Sequence, residues 1–255
     1  MTFIYHTFFY QPLYNGLIFL LALFPAWFDI GMAIVIFTVL IRFILFPLSK
    51  ASIRTQIRMK ELEPKLKEVK ERYKNDTQAQ SVETMKLYKE YKVNPLASIA
   101  FLIIQIPIII DLYRLFLTGG LPNIQLDLLY PFVHAPSHAV LMQFFGIDVT
   151  QRSIVMALLA GISQYFQVKL SVPQIPVADP SKPKSPSFKN DLAKTMSLQM
   201  RYMLPIMVAF ISYGINAAIA LYWTTSNVFA ICQEYFVRRR LVDEHERLKK
   251  ALIIK

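Results

Sequence analysis

What this chain has little of closes off several kinds of chemistry. It contains one cysteine, Cys232, in 255 residues. No intramolecular disulfide is possible, and the thiol is expected as a small buried residue within a late apolar run. Seven glycines are scattered and form no phosphate-cradling loop. Of four histidines, His134 and His138 stand four apart, but Pro136 between them spoils the helix that would aim both at one metal. With no nucleophile-and-base constellation either, the chain does not read as an enzyme, and no metal or cofactor is expected. Acidic residues are also rare within the apolar runs. Asp29, Asp111 and Glu234 lie near run ends, so no buried proton relay of a coupled transporter is in view.

What is abundant is apolar. Hydrophobic residues make up 55% of the chain and gather into runs long enough to span a bilayer, the mark of an all-α polytopic membrane protein. A net charge of +11 would suit nucleic acid, but its distribution decides otherwise. Of 28 Lys and Arg, twelve lie in 49–92, six in 169–201 and seven in 237–255, while 1–28, 118–151 and 212–218 contain none. Basic and charge-poor loops alternate. This positive-inside pattern predicts five transmembrane helices, N-out and C-in.

Residues 1–28 have no basic n-region and no small-residue cleavage site, so a cleaved signal peptide is not expected. Thr7, Gln11 and Asn15 make a polar stripe at i, i+4, i+8, and a helix over 12–24 would be only about 20 Å long. It reads as an interfacial helix, with a sixth span over 3–24 as the alternative, and Trp27 and Phe28 fall where an aromatic belt belongs. Residues 29–49 are the first span. The basic stretch 50–94 reads as a cytoplasmic helical hairpin turning at Asn75 and Asp76, with a kink or restart at Pro64. Residues 95–117 are the second span, where Asp111 and Arg114, three apart, are expected as a structural ion pair. An outer loop over 118–152, a third span over 153–170 and a Pro/Lys-rich cytoplasmic loop over 171–198 follow. Spans four and five, 199–213 and 216–236, share a short uncharged turn, and 237–255 is a basic tail ending in a short charged helix or disorder.

One charge stands inside a span. Residues 30–48 would make a helix of roughly 28 Å, close to the ~30 Å hydrocarbon core. Arg42 within it costs on the order of 2.5–3.5 kcal/mol unless a polar partner or a water-filled cavity receives it. From these residues two readings stand open: a functional cation, or an arginine that snorkels to the inner headgroups. The fifth run is polar as well, with Tyr222, Trp223, Thr224, Thr225, Ser226, Asn227 and Gln233. Some of that face must look at protein or water.

Taken together, several segments resemble the YidC/Oxa/Alb family of membrane-protein insertases. They are YQPLYNGL before the first span, VLIRFILFPLSKAS across its end, MKELEPKLKEVKERY in the hairpin, and LYKEYKVNPLAS and LIIQIPIIIDLY at the second span. GISQYFQ, RYMLPIM and LYWTTSNVFAICQEY complete the series at the last three. The departures are Ala97-Ser98-Ile99, where relatives usually carry glycine with cysteine or proline, and Asn216 to Ala218 in place of the usual Pro-Gly, besides the Asp111/Arg114 pair. Neither a lipobox cysteine nor the large extracytoplasmic domain of some relatives is expected.

The resemblance implies five helices around a hydrophilic groove, open to cytoplasm and lipid and closed outside, with Arg42 supplying its positive charge. By position and polarity the client-binding groove would be lined by Arg42, Gln105, Gln164, Gln167, Trp223, Thr224, Ser226 and Asn227. For each glutamine or hydroxyl the competing reading is an interhelical hydrogen bond. The implied clients are nascent or small membrane proteins with acidic extracytoplasmic tails, handled in a bacterial plasma (inner) membrane. Besides phospholipid, the implied partners are the Sec translocon, the ribosome and signal-recognition components, reached through the 50–94 hairpin and basic tail. The rivals are a small transporter or channel with an anion-binding arginine, and a structural chaperone that moves nothing.

Overall fold

The computed structural model describes residues 6–91, 93–94, 96–117, 121, 123–171 and 199–253, and side chains throughout these except at 96–105, 117, 200 and 241–253. Beyond residue 171, the Pro/Lys-rich loop expected up to 198 lies outside the described residues. The fold is mostly helical: α1 (Gln11–Leu23), α2 (Ile30–Ile44), α3 (Phe46–Arg72), α4 (Thr77–Glu90), α5 (Leu96–Leu117), α6 (Ile154–Ser171), α7 (Leu204–Gly214) and α8 (Ala217–Ile253). A two-stranded hairpin, β1 (Gln143–Phe144) and β2 (Ile147–Asp148), lies between α5 and α6. The chain divides into two compact units, Met1–Ile44 with Gln105–Ile231, and Leu45–Ile104 with Cys232–Lys255.

In the first unit large apolar side chains are exposed as well as buried, and on α6 much of the buried face is small or polar. On α6, Ile154, Val155, Leu158, Leu159, Ile162, Phe166 and Leu170 are exposed, while Met156, Ala157, Ala160, Gly161, Ser163, Gln164 and Val168 are buried. Such a face is stable against hydrocarbon and not against water. Among the described residues α6 is long and apolar enough to cross a membrane, and α2 and α3 meet the same test as a broken pair. Gly161 lets α6 approach α7 closely: a Cβ there would stand 2.8 Å from that of Ala209 and 3.2 Å from the Pro205 carbonyl oxygen. Met156, Ala160, Val208, Ala217 and Ala220 form the resulting core.

The loop between α5 and α6 is a brace. Asn15 donates to the Leu128 carbonyl (2.9 Å) and accepts from the Tyr130 amide (2.7 Å), Gln11 donates to the same Leu128 carbonyl (3.2 Å), and the Gln125 amide donates to the Tyr14 hydroxyl (2.8 Å). The polar stripe of α1 thus holds the loop. The hairpin turns through Phe145 and Gly146, both at positive φ (47° and 81°), as a two-residue loop requires. The backbone on either side of it supplies acceptors for helix amides that have no partner within their own helix: Leu141 for Ile30, Val149 for Ala218 and Gln151 for Ala217. Asn216 caps the next α8 amide, that of Ile219 (3.2 Å), and Asp29 caps α2 at Met32 (2.8 Å).

Several sequence expectations are corrected. The first apolar helix stops at Ile44 and another begins at Phe46, because Pro47 in the new first turn offers no amide and crowds the preceding carbonyl turn. Pro64, by contrast, neither breaks nor restarts α3. The Lys60 carbonyl it leaves unbonded belongs to an exposed residue, where water can take the bond. The hairpin turn falls as expected, with Asp76 accepting from the amides of Gln78 (3.1 Å) and Ala79 (2.9 Å). The last helix runs on to Ile253, past the expected end of the fifth span and through the tail as one helix, since neither glycine nor proline interrupts it and Glu234 pairs with Arg238 at 2.6 Å one turn on. Cys232 is exposed rather than buried, because α8 turns that side outward. Of the two aromatics expected at the interface, Trp27 is exposed, but Phe28 is buried and stacks on Phe24 at 4.2 Å.

Candidate functional site

Arg42 lies in the last turn of α2 and is 7% exposed. Its Nε donates to Ser226 Oγ on α8 at 3.4 Å. One turn earlier on the same face is buried Thr38, whose hydroxyl is returned to the Ile34 carbonyl (2.6 Å), so it presents an oxygen to its surroundings without a spare proton. Phe43, next to Arg42, meets Phe229 edge-on at 5.1 Å and fixes how α2 lies on α8. A charge on an otherwise apolar helix is therefore met by a hydroxyl on another.

Consecutive residues on a helix point about 100° apart, and Ser226 and Asn227 use that angle to serve two neighbours. Where Ser226 meets Arg42, Asn227 turns to α6 and donates to Ser163 Oγ (3.2 Å) and Gln164 Oε1 (3.1 Å). From Gln164 the bonds continue to Gln167 (3.3 Å) and from Gln167 to Ser171 (2.9 Å), a polar ladder along one face of α6. Of the eight residues singled out in the sequence, Arg42 and Ser226 form one group and Asn227, Gln164 and Gln167 another. Trp223 is half-buried against the α6/α7 core. Thr224 returns its hydroxyl to the Ala220 carbonyl (2.8 Å) and lines an apolar cleft of about 630 Å³ with Leu159, Ile162, Phe166 and Val228. The Gln105 side chain lies outside the described residues. Ser163 and Thr38 are the additions. Polarity at four-residue spacing, Thr38 to Arg42, was the available signal for one, and proximity to Gln164 for the other.

Asp111 is buried at 2% exposure and Arg114 is exposed.

A family model described as 60Kd inner membrane protein matches residues 22–244 of this chain. The chain belongs to that family. A membrane protein insertase YidC of Clostridium tetani is 34% identical over 221 residues, 87% of this chain and 86% of that protein. One from Fusobacterium nucleatum is 31% identical over 212 residues, 83% and 87% of the two chains. One from Actinobacillus pleuropneumoniae is 32% identical over 245 residues, 94% of this chain but 38% of that protein. The chain thus spans most of two relatives and well under half of the third. The 60Kd inner membrane protein family is one of bacterial inner-membrane proteins, and the relatives' names describe insertion rather than a catalysed reaction.

Proposed function

We propose that this chain is a membrane-protein insertase of the bacterial inner membrane, with five spans, N-out and C-in, and that Arg42 is the cation its clients meet. The observation that carries this is the Arg42–Ser226 contact: a buried guanidinium in an apolar helix, held by a neutral hydroxyl. A guanidinium set in an apolar span is costly to bury, and an anion or water that reaches it relieves that cost. The relatives' names support the activity, and the outward apolar faces support the membrane setting.

On this reading the polar inner faces of α2, α6 and α8 form a groove that carries water partway through the bilayer, so a polar client tail leaves water late. Arg42 draws an acidic residue in that tail. The client's apolar segment settles along the cleft between α6 and α8 and passes into lipid, driven by burial at roughly 25 cal/mol per Å². An inside-negative potential adds about 2.3 kcal/mol per 100 mV for each acidic charge moved outward. The basic hairpin of α3 and α4 is placed on the cytoplasmic side, where it would meet anionic headgroups, the ribosome, the Sec translocon or signal-recognition components.

The test is insertion of a single-span, N-out client into proteoliposomes, scored by protease protection. With an acidic tail, Arg42→Ala is expected to lower insertion about tenfold, corresponding to ~1.4 kcal/mol of lost attraction, while Arg42→Lys retains most of it. A neutral tail should show little dependence. If alanine inserts the acidic-tailed client as well as the native protein does, the charged-groove mechanism is wrong and the structural chaperone reading takes its place.

A further inference from the structure

At the opposite end of α6 from its polar ladder is a second, separate cleft of about 490 Å³, lined by Tyr113, Thr150, Gln151, Arg152, Gly214 and Ile215. Arg152 is the only lysine or arginine between 115 and 168 and is exposed. Among the described residues it forms neither a hydrogen bond nor an ion pair. The nearby Asp148 turns one carboxylate oxygen to the Thr150 amide (2.8 Å) and hydroxyl (2.6 Å) and is not among the residues that line the cleft. Tyr113 and Gln151 add a hydroxyl and an amide as uncharged donors to the same lining. The lining therefore contains one positive charge, Arg152, and no carboxylate.

What flanks it selects the ligand. Ile154 and Val155, two and three residues after Arg152, and Phe210 and Tyr213, four and one before Gly214, are large and exposed. A soluble phosphate would gain nothing from that rim, whereas a lipid would place its acyl chains there. We propose that this cleft binds the phosphodiester headgroup of an anionic phospholipid, in the leaflet opposite the basic loops. This site rests on the membrane placement proposed above but not on insertase activity. Arginine suits it because its fork matches two phosphate oxygens.

The purified full-length chain in detergent would be titrated with phosphatidylglycerol and the bound lipid counted by native mass spectrometry. Arg152→Gln is expected to weaken binding roughly tenfold, the loss of one charge-assisted pair. Gly214→Leu should weaken it as well: a Cβ at Gly214 meets nothing within 4 Å, so the larger side chain fills the cleft without displacing protein. Arg114→Gln, at an exposed arginine outside the lining, should bind as the native chain does. The proposal is overturned if Arg152→Gln binds normally, or if Arg114→Gln loses as much, which would mean only general attraction of lipid to outer arginines. Glycerophosphoglycerol, the same phosphodiester without acyl chains, is expected not to compete. Full competition would make this a free-phosphate site and overturn the lipid assignment. No client is present, so loss of insertase function through Arg42 would leave the readout unchanged.

Discussion

At the scale of single residues, Ser226 and Asn227 separate two roles that adjacent polar side chains would otherwise blur. Asn227 ties α8 to α6 through two hydrogen bonds, so Asn227→Ala should lower stability by about 1–2 kcal/mol while leaving the preference for acidic clients intact. Thermal unfolding in detergent beside the insertion assay checks both halves. Ser226→Ala should do the reverse, altering acidic-client insertion with little change in melting temperature. Equal loss of stability in the two variants would make both residues structural glue. How far sequence reasoning reached shows here: Arg42 was legible because a charge in an apolar run has no cheap explanation. Which of the polar residues near 222–227 it meets was not, because a 100° rotation between neighbours is resolved only when the facing helices are in place.

At the scale of elements, close approach governs α6 and α7. Gly161→Leu should destabilise the protein by about 1–3 kcal/mol, since the new side chain meets Ala209 and the Pro205 carbonyl, and backbone on that side cannot swing away. A lowered melting temperature in detergent is the expected sign; an unchanged one would mean the two helices can part without cost. Pro64 offers the opposite case. Pro64→Ala supplies an amide and relieves a ring clash in an exposed helix, and should slow hydrogen exchange across residues 60–68, with a gain of up to about 3 kcal/mol in local helix stability. Unaltered exchange would show that α3 is already strained nowhere near the proline. The hairpin's role could not be read from its sequence. Gln143 to Asp148 has no strong alternation, and the residues on either side of it, Leu141, Val149 and Gln151, offer backbone carbonyls to the starts of α2 and α8, a use of the main chain that leaves no mark on side-chain identity.

At the scale of the whole molecule, alternation of basic and charge-poor loops predicts sidedness. With Cys232 replaced by serine, a cysteine introduced at Ser137 in the outer loop should react with an impermeant maleimide on intact cells, and one at Met85 in the basic hairpin should react only after lysis. Labelling of both in intact cells, or the reverse pattern, would overturn the N-out, C-in arrangement.

The sequence alone determined that the chain is helical, apolar enough for a membrane, basic on alternate connections and marked by one costly charge, because composition, period and charge placement are properties of residues taken in order. Tertiary structure decided the rest: the break at Leu45, the burial of Asn15 against the loop it braces, the outward turn of Cys232, the division of the polar residues between Arg42 and the α6 ladder, and the second cleft around Arg152. Each depends on which face of a helix meets which neighbour. Helical period groups residues into faces, but only packing between helices decides where those faces point.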